Sequence, residues 1–545
     1  MNIETTMIKL LNNRGIYSQE DIEEFLSEKP QKTYNPFLLH NMEAGVDLIL
    51  SQINANKRIC IYGDYDADGV TSTTILLNVL SYLTSNVTYY IPSRFDEGYG
   101  LNMEAIDTIK KQNIDMIITV DCGSVSYNEV EYAKKLGLQI LVTDHHTITD
   151  TIADCLVINP KQKDCTYPFK ELAGCGIAFK LAQGISKKTD IPRKALTEIL
   201  DLVGIGTIGD IVPLVDENRT LAKYGLRAIN LGGRLGLDTL MEKISLIRGK
   251  VRSEDVSFGI VPHINAAGRM VDAKLGVQLL TSTNIEKIQL MADKMVEQNS
   301  QRKKIQEDTY KEAVEIIETL HRNDNFLVVL MENAHEGITG IVAGKVKDLY
   351  NKPTIIVTPS GDGYKGTGRS IDNIDIYSLL KDHEELFTKF GGHSAACGFS
   401  MKKENLEKLR VGLNQNVAKI LEGNPMALNK SIYVDMEVTI SQLTEELADQ
   451  IELIAPFGCK NTRPVFRVPA VELSAISYMG AEKNHVRFLA TDEFGKKIQC
   501  VLFGKAKEYD TIMHSLKKHS LVGKFECQLW NGAKKLQLIV EDIEV

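Results

Sequence analysis

Short apolar runs recur along the first half of the chain: ICIY (59–62), VTYYI (87–91), MIITV (116–120), ILVT (140–143) and LVI (156–158). Segments with helical spacing separate them, among them TSTTILLNVLSYL and YNEVEYAKKLG. Strands that are apolar along their whole length and alternate with helices predict an α/β domain, with a parallel sheet covered on both faces. Before it, residues 1–45 form a polar helical segment that Asn35-Pro36 interrupts. The α/β domain is expected over 46–283. Residues 284–321 contain no Gly or Pro and place Ile288, Met291, Met295, Ile305, Tyr310, Val314 and Ile317 at helical spacing. A helix of that length would reach roughly 55 Å, which suits a connector between lobes. A second, smaller α/β lobe is expected over 322–427, from FLVVLME, GITGIVAGKVKDLY and TIIVTP. From 428 to 545, short strands with turn residues between them predict a small β-barrel.

Composition narrows the class. The 545 residues are 43% hydrophobic and 25% charged, an ordinary globular balance. No apolar run is long enough for a transmembrane helix, and the start, MNIETTMIKLLNNRG, lacks a signal-peptide core, so a cytoplasmic protein without a membrane partner is expected. The nine cysteines are scattered with no C-x-x-C pair, as expected of buried thiols in a reducing compartment. The net charge of −9 argues against a uniformly basic nucleic-acid binder.

The chemistry gathers at strand ends. ICIY runs into GDYDADG, where Asp64, Asp66 and Asp68 lie two apart. Continued as extended chain, with a helix starting at Thr71, that segment would place all three on one side. Carboxylates this close repel one another unless a divalent cation or solvent holds them. MIITV ends in Asp121, and ILVT ends in Asp144-His145-His146. Ligands bind at the carboxyl ends of strands in open parallel sheets, so these residues face one crevice. Gly204, Gly206 and Gly209 in VGIGTIGDIVPL match a dinucleotide fingerprint as a pattern. A helix-like segment precedes them where that fingerprint needs a strand, so they read instead as close-packing glycines that let Asp210 join the cluster. Carboxylates with imidazole suit Mn²⁺ or Mg²⁺, and one or two such ions suit hydrolysis of a phosphate ester or anhydride.

GDYDADG, TVDCG, TDHH and GTIGD, in this order and spacing, resemble motifs I to IV of the DHH phosphoesterase superfamily. HEGITGIVAGKV (335–346), GTGRS (366–370) and GGHSAACGF (391–399) resemble its DHH-associated domain. PSRFDEGYGL (92–101), PHINAAGRM (262–270), the connector and an OB-like β-domain resemble the RecJ family within it. The resemblance implies a metal-dependent 5′→3′ exonuclease that degrades single-stranded DNA to mononucleotides in repair and recombination. It implies one Mn²⁺ or Mg²⁺ on Asp68, Asp121, His145 and Asp210, and a second facing Asp64, Asp66 and Asp121, with His146 orienting water or phosphate. Many members carry His where this chain has Tyr62, which weakens the expected second site. Arg94, Asn265, Arg269, His335, Arg369, Ser370, Gly391, Gly392 and His393 are the implied substrate residues, the last three read as a tight turn and Arg369-Ser370 as a Gly-rich loop. DNA is expected to thread between the two lobes. A RecQ-type helicase and a single-strand-binding protein are the implied partners. The competing readings are a phosphodiesterase on oligoribonucleotides or cyclic dinucleotides, and an inactive DNA-binding scaffold, a role that would not need the ligands.

Charge distribution supports separate capture and cutting surfaces. Residues 460–540 hold 14 Lys+Arg against 7 Asp+Glu, within a chain of net charge −9. The basic excess thus falls in the β-domain, so removing about 428–545 is expected to weaken DNA capture more than cleavage of very short substrates. Phe466 and Trp530 in that domain suit either core packing or base stacking.

Overall fold

The computed structural model describes residues 4–93, 97–98, 100–148, 151–270, 272–515, 517–530 and 533–544. Two compact units emerge: residues 1–261, 276–288 and 433–545 form one, and 262–275 with 289–432 form the other.

In the first unit, five strands make a wholly parallel sheet: β1 (Ile59–Tyr62), β2 (Val87–Tyr90), β3 (Met116–Val120), β4 (Gln139–Thr143) and β5 (Leu156–Ile158). Their order is β2-β1-β3-β4-β5. β1 and β3 are buried along their full length, which explains why they read as unbroken apolar runs. Tyr62 at the end of β1 is fully buried. Its hydroxyl donates to Gly100 O at 2.9 Å and accepts from Asn102 Nδ2 at 3.1 Å, and its ring stacks on Tyr90. It is thus a packed core residue with a satisfied hydroxyl.

The same unit contains a six-stranded sheet built from β11 (Met436–Glu437), β12 (Val465–Met479), β13 (His485–Thr491), β14 (Lys497–Leu502), β15 (His519–Trp530) and β16 (Ala533–Glu544). The order is β11-β12-β13-β14-β16-β15, and a β12–β15 pairing closes it into a barrel. Phe466 is fully buried in the barrel core. The side chain of Trp530 lies outside the described residues.

The chain's first two helices, α1 (Thr5–Asn13) and α2 (Gln19–Leu26), pack into that barrel core. Met7, Leu10, Leu11, Ile22 and Leu26 cluster with Leu447, Ile451, Phe466 and Phe525. The sequence reading set residues 1–45 apart from the β-domain because the amphipathic pattern of a helix does not name its partner. Deleting 428–545 would therefore also uncover the apolar faces of α1 and α2.

Glycine-tolerant close packing shapes the next helices. Helix α3 (Ala67–Leu80) follows β1, α4 (Gly174–Lys187) follows β5, and α5 (Leu200–Gly209) and α6 (Asp216–Leu231) come after them. A Cβ on Gly204 of α5 would lie 2.7 Å from Gly225 Cα of α6. Further along are α7 (Val261–Met270) and α8 (Ile285–Ile316), the 32-residue helix expected as a connector, which continues into a π-helical turn, Ile317–His321.

The second unit holds a mixed sheet of β6 (Leu327–Leu330), β7 (Thr354–Ser360), β8 (Gly363–Arg369), β9 (Phe387–His393) and β10 (Ala396–Lys402), ordered β6-β7-β8-β10-β9. Arg369 therefore ends a strand rather than occupying a loop. Gly391, Gly392 and His393 are strand residues, and the turn falls one step later at Ser394-Ala395. The repeated glycines misled because Gly usually marks turns, whereas here they allow strands to approach.

Leu11 is fully buried in the shared core of helix and barrel. Leu11→Ala should cost about 2–5 kcal/mol. Urea unfolding followed by tryptophan fluorescence should show it, because the only Trp lies in the barrel.

Candidate metal centre

Each acidic residue of the cluster is placed by the end of an element. The chain does not stay extended through GDYDADG. Asp66 is the N-cap of α3, with Oδ1 accepting from Asp68 N at 2.9 Å and Gly69 N at 3.1 Å. Asp68 sits in the first turn and points the other way. Its Oδ2 accepts from Gly174 N at 2.6 Å and its Oδ1 from Cys175 N at 2.9 Å, at the start of α4. Two helix N-termini thus supply N–H groups to this acidic loop. Asp121 follows β3 with φ 62°, a left-handed conformation that costs a non-glycine residue of order 1–3 kcal/mol. Asp210 is the C-cap of α5.

His145 lies at the centre. Its Nε2 stands 3.1 Å from Asp121 Oδ1, 3.5 Å from Asp210 Oδ2 and 3.9 Å from Asp68 Oδ2. Its Nε2 is buried and faces these carboxylates. Three groups have donor atoms within 4.8 Å of one another: Asp68, His145 and Asp210; Asp64, Asp66 and Asp121; and Asp121, His145 and His146.

Asp121 Oδ1, His145 Nε2 and Asp210 Oδ2 are buried, and none has a hydrogen-bond partner among the described residues. Such atoms normally carry a desolvation cost. Oxygen and imidazole donors that converge in this way fit a divalent cation of the Mn²⁺ or Mg²⁺ type. The electrostatics agree. Burial, then the charges of neighbouring aspartates, push Asp68 up to about 6 and Asp210 up to about 9, and raise Asp121 well above the carboxylate range. Burial, reinforced by the charge of His146, lowers His145 to about 3, so its imidazole is neutral and free to ligate.

Asp144 has a different job from its neighbours. Its Oδ1 accepts from His145 N, His146 N and the His146 ring at 2.7, 3.0 and 2.8 Å, and its Oδ2 from Ser124 N at 2.9 Å. Burial alone would raise this carboxyl, but the bonds and charge of His146 hold it far below the usual range. Burial alone would lower His146, and the Asp144 hydrogen bond and charge push it up to about 9 instead. Asp144 is therefore the clamp that shapes the strand-end loop. Asn159 adds to it, bonding Ser124 Oγ at 2.9 Å and His146 O at 3.0 Å. The sequence reading missed Asn159 and the N-terminus of α4. The Gly174-Cys175-Gly176 run was the available signal for the latter.

The glycines flanking the cluster are steric requirements. A Cβ on Gly206 would lie 2.5 Å from both Cys175 Sγ and Thr71 Oγ1 and 2.7 Å from Asp68 Oδ1. One on Gly174 would lie 2.8 Å from Asp121 Oδ1. The G-x-G-x-x-G pattern lies inside α5, with no strand before it, and serves packing beside Asp210.

The candidate substrate residues of the second unit form their own group. Arg269 and Asn265 lie on α7, and Arg269 Nη1 donates to Gly337 O at 2.8 Å. His335 Nδ1 accepts from Gly337 N at 3.2 Å. Arg369 Nη1 donates to Gly368 O at 2.8 Å, and its Nη2 would lie 3.0 Å from a Cβ on Gly340. Arg269, His335 and Arg369 thus surround the stretch 335–340. Ala396 pairs with both Arg369 and His393, so those two side chains belong to one row across the sheet. Gly391 lies in β9, and Gly392, at φ 146°, has Ala396 O 2.4 Å from where a Cβ would be. Ser370 differs from the expectation: its buried hydroxyl donates to Ile374 O at 2.6 Å, so it staples its own loop. Arg94 lies outside the described residues.

Comparison with known proteins gives this geometry its context. The DHH family N-terminal domain matches residues 58–207, the DHHA1 domain 323–419 and the RecJ OB domain 434–542. The single-stranded-DNA-specific exonuclease RecJ of Bacillus subtilis (strain 168) is 35% identical over 100% of this chain and 68% of its own length. Its counterpart in Escherichia coli (strain K12) is 31% identical over 98% of this chain and 95% of its own. The chain belongs to the RecJ family. A crystal structure of exonuclease RecJ bound to manganese is 31% identical, with a TM-score of 0.61, over 70% of this chain and 95% of that one. RecJ of Thermus thermophilus in complex with Mn²⁺, 24% identical, shares the fold with a TM-score of 0.84 over 99% of this chain and 76% of that one. Among the described residues no helix is long and apolar enough to cross a membrane, and the nine cysteines are free.

Two consequences of RecJ-type packing are measurable here. The raised carboxyl groups mean that the metal-free folded state holds more protons than the unfolded chain. The resulting penalty is absent below about pH 4 and grows until pH passes about 9, the value for Asp210. The melting temperature of the chelated protein should therefore carry a falling component over that window. Mn²⁺ should raise it, more so at pH 8 than at pH 6, in scanning fluorimetry. Gly206→Ala should weaken Mn²⁺ binding by about 10–100-fold in a calorimetric titration, because the added methyl displaces Asp68.

Proposed function

We propose that this chain is a divalent-metal-dependent exonuclease that removes mononucleotides from the 5′ end of single-stranded DNA, in the cytoplasm, during repair and recombination. The observation that carries it is the convergence of unbonded donor atoms of Asp121, Asp210 and His145, with Asp68 beside them. Asp68, Asp121, His145 and Asp210 would hold one Mn²⁺ or Mg²⁺. Asp64, Asp66 and Asp121 would hold a second, with carboxylates alone because Tyr62 is committed to the core. The bound ions supply Lewis-acid activation of water and of the phosphate.

The residues do the rest. Asp144 holds His146 through Nδ1 and, against burial, pushes its pKa up to about 9, so the ring is protonated on both nitrogens at neutral pH and the opposite nitrogen hands a proton to the departing oxygen. Asp66 keeps one carboxylate oxygen on the helix cap and offers the other to the cluster. Arg269, Arg369, His335 and His393 bind backbone phosphate, joined by Arg94 and Asn265, while Gly391 and Gly392 let the strand pass close. The basic β-domain captures the strand without reading its sequence. A RecQ-type helicase and a single-strand-binding protein would supply such strands.

Digestion of 5′-labelled single-stranded DNA with Mn²⁺ should release mononucleotides, and duplex, short RNA and cyclic dinucleotides should not be comparable substrates. Asp121→Ala and His145→Ala should each reduce release to background while circular dichroism stays native. Retained activity in either variant would sink the ligand assignment.

A further inference from the structure

The helix that delivers Asp210 to the cluster ends unusually. The next residue, Ile211, has φ 59°, the left-handed position after a helix that Gly or Asn ordinarily fills. A β-branched side chain fits that position worst. Yet the isoleucine is not repaid by burial, since it is 73% exposed. Backbone geometry and core packing thus both argue against an isoleucine here.

The loop that carries it is firmly mounted. Leu214 is buried and its N–H donates to Cys459 O at 2.8 Å. Pro213 O accepts from Asn218 Nδ2 at 3.1 Å. On the other side, Gly209 packs so closely that a Cβ there would lie 3.0 Å from Val261 Cγ2. The carboxylate of Asp210 turns inward to within 3.5 Å of His145 Nε2, and the side chain of the very next residue is 73% exposed.

We infer that Ile211 is a substrate-contacting residue whose side chain packs against the face of a nucleobase flanking the scissile phosphodiester. A base face offers apolar area in a single strand and is covered by its neighbours in a duplex, so the contact selects unstacked substrate without reading sequence. The contact accounts for an isoleucine at a position where the fold alone favours asparagine or glycine. It rests on the exonuclease reading above.

The test uses full-length protein, Mn²⁺ and 5′-phosphorylated single strands that are unmodified or carry one abasic site at the first, second or tenth nucleotide. Mononucleotide release by the wild type from unmodified DNA is read first; its absence would overturn the exonuclease reading itself, before any variant is compared. Ile211→Asn, and Ile211→Gly as a second variant, should melt no lower than the wild type, since both accept the left-handed conformation. Each should lower kcat/KM on unmodified DNA about tenfold, mainly through KM, the size expected from losing a few buried methyl groups. An abasic site at the first or second nucleotide should slow the wild type by a similar factor and leave the variants little further affected, whereas one at the tenth should affect neither. Ile211→Val should restore most of the difference. Leu231→Asn, at a 75% exposed position at the end of α6, should change nothing. Variants that match the wild type, or that lose the same factor on every substrate, would overturn the contact.

Discussion

Like charges crowded into a buried space set the terms for everything around them. Asp68, Asp121 and Asp210 are brought within a few ångströms of one imidazole, where burial and mutual repulsion oppose ionisation. The fold holds this arrangement by making each carboxylate part of a rigid end: a first helical turn, a left-handed residue after a strand, a helix C-cap. N–H groups from two helix starts favour the charge on the acidic loop, while the last turn of α5 adds negative potential beside Asp210. The sum of these fields calls for a cation, and the sheet, the helices and their glycines are the framework that keeps the ligands from relaxing apart.

The parallel sheet could be read from the sequence because strands buried on both faces leave no charged residue in the run. β1, β3 and β5 coincide with the apolar segments that announced them. The clustering of carboxylates and imidazole was readable for a related reason: strand ends in such a sheet share an edge, so residues distant in sequence become neighbours. What could not be read was local direction. Asp64, Asp66 and Asp68 looked like an extended ladder, but an N-cap aspartate turns the chain into a helix at Ala67, four residues before Thr71, and sends Asp66 and Asp68 to different tasks. Asp144 stood beside two candidate site histidines, yet its carboxylate is taken up by four hydrogen bonds to backbone and ring.

Glycine was the most ambiguous letter. At 391 and 392 it suggested a turn and is a strand; at 204 and 206 it matched a dinucleotide pattern but read as close packing, and it is a helix pressed against its neighbours. At 204, 206 and 392 the absent Cβ matters for what lies next to it. Periodicity reports which face of an element is covered and not what covers it, so α1 and α2 could not be assigned to the barrel.

That assignment has a bearing on how the protein is made. Glu4 N–H bonds to Gln450 Oε1, 446 residues away along the chain, and the apolar faces of α1 and α2 find their cover only in that late region. At about 5–20 residues per second, a ribosome would need roughly 20–90 s to synthesise the missing partner. For that interval the first two helices emerge with Met7, Leu10 and Leu11 exposed, while the parallel sheet behind them is already able to fold. The apolar faces of these two helices thus stay uncovered until the β-domain that packs on them has been translated.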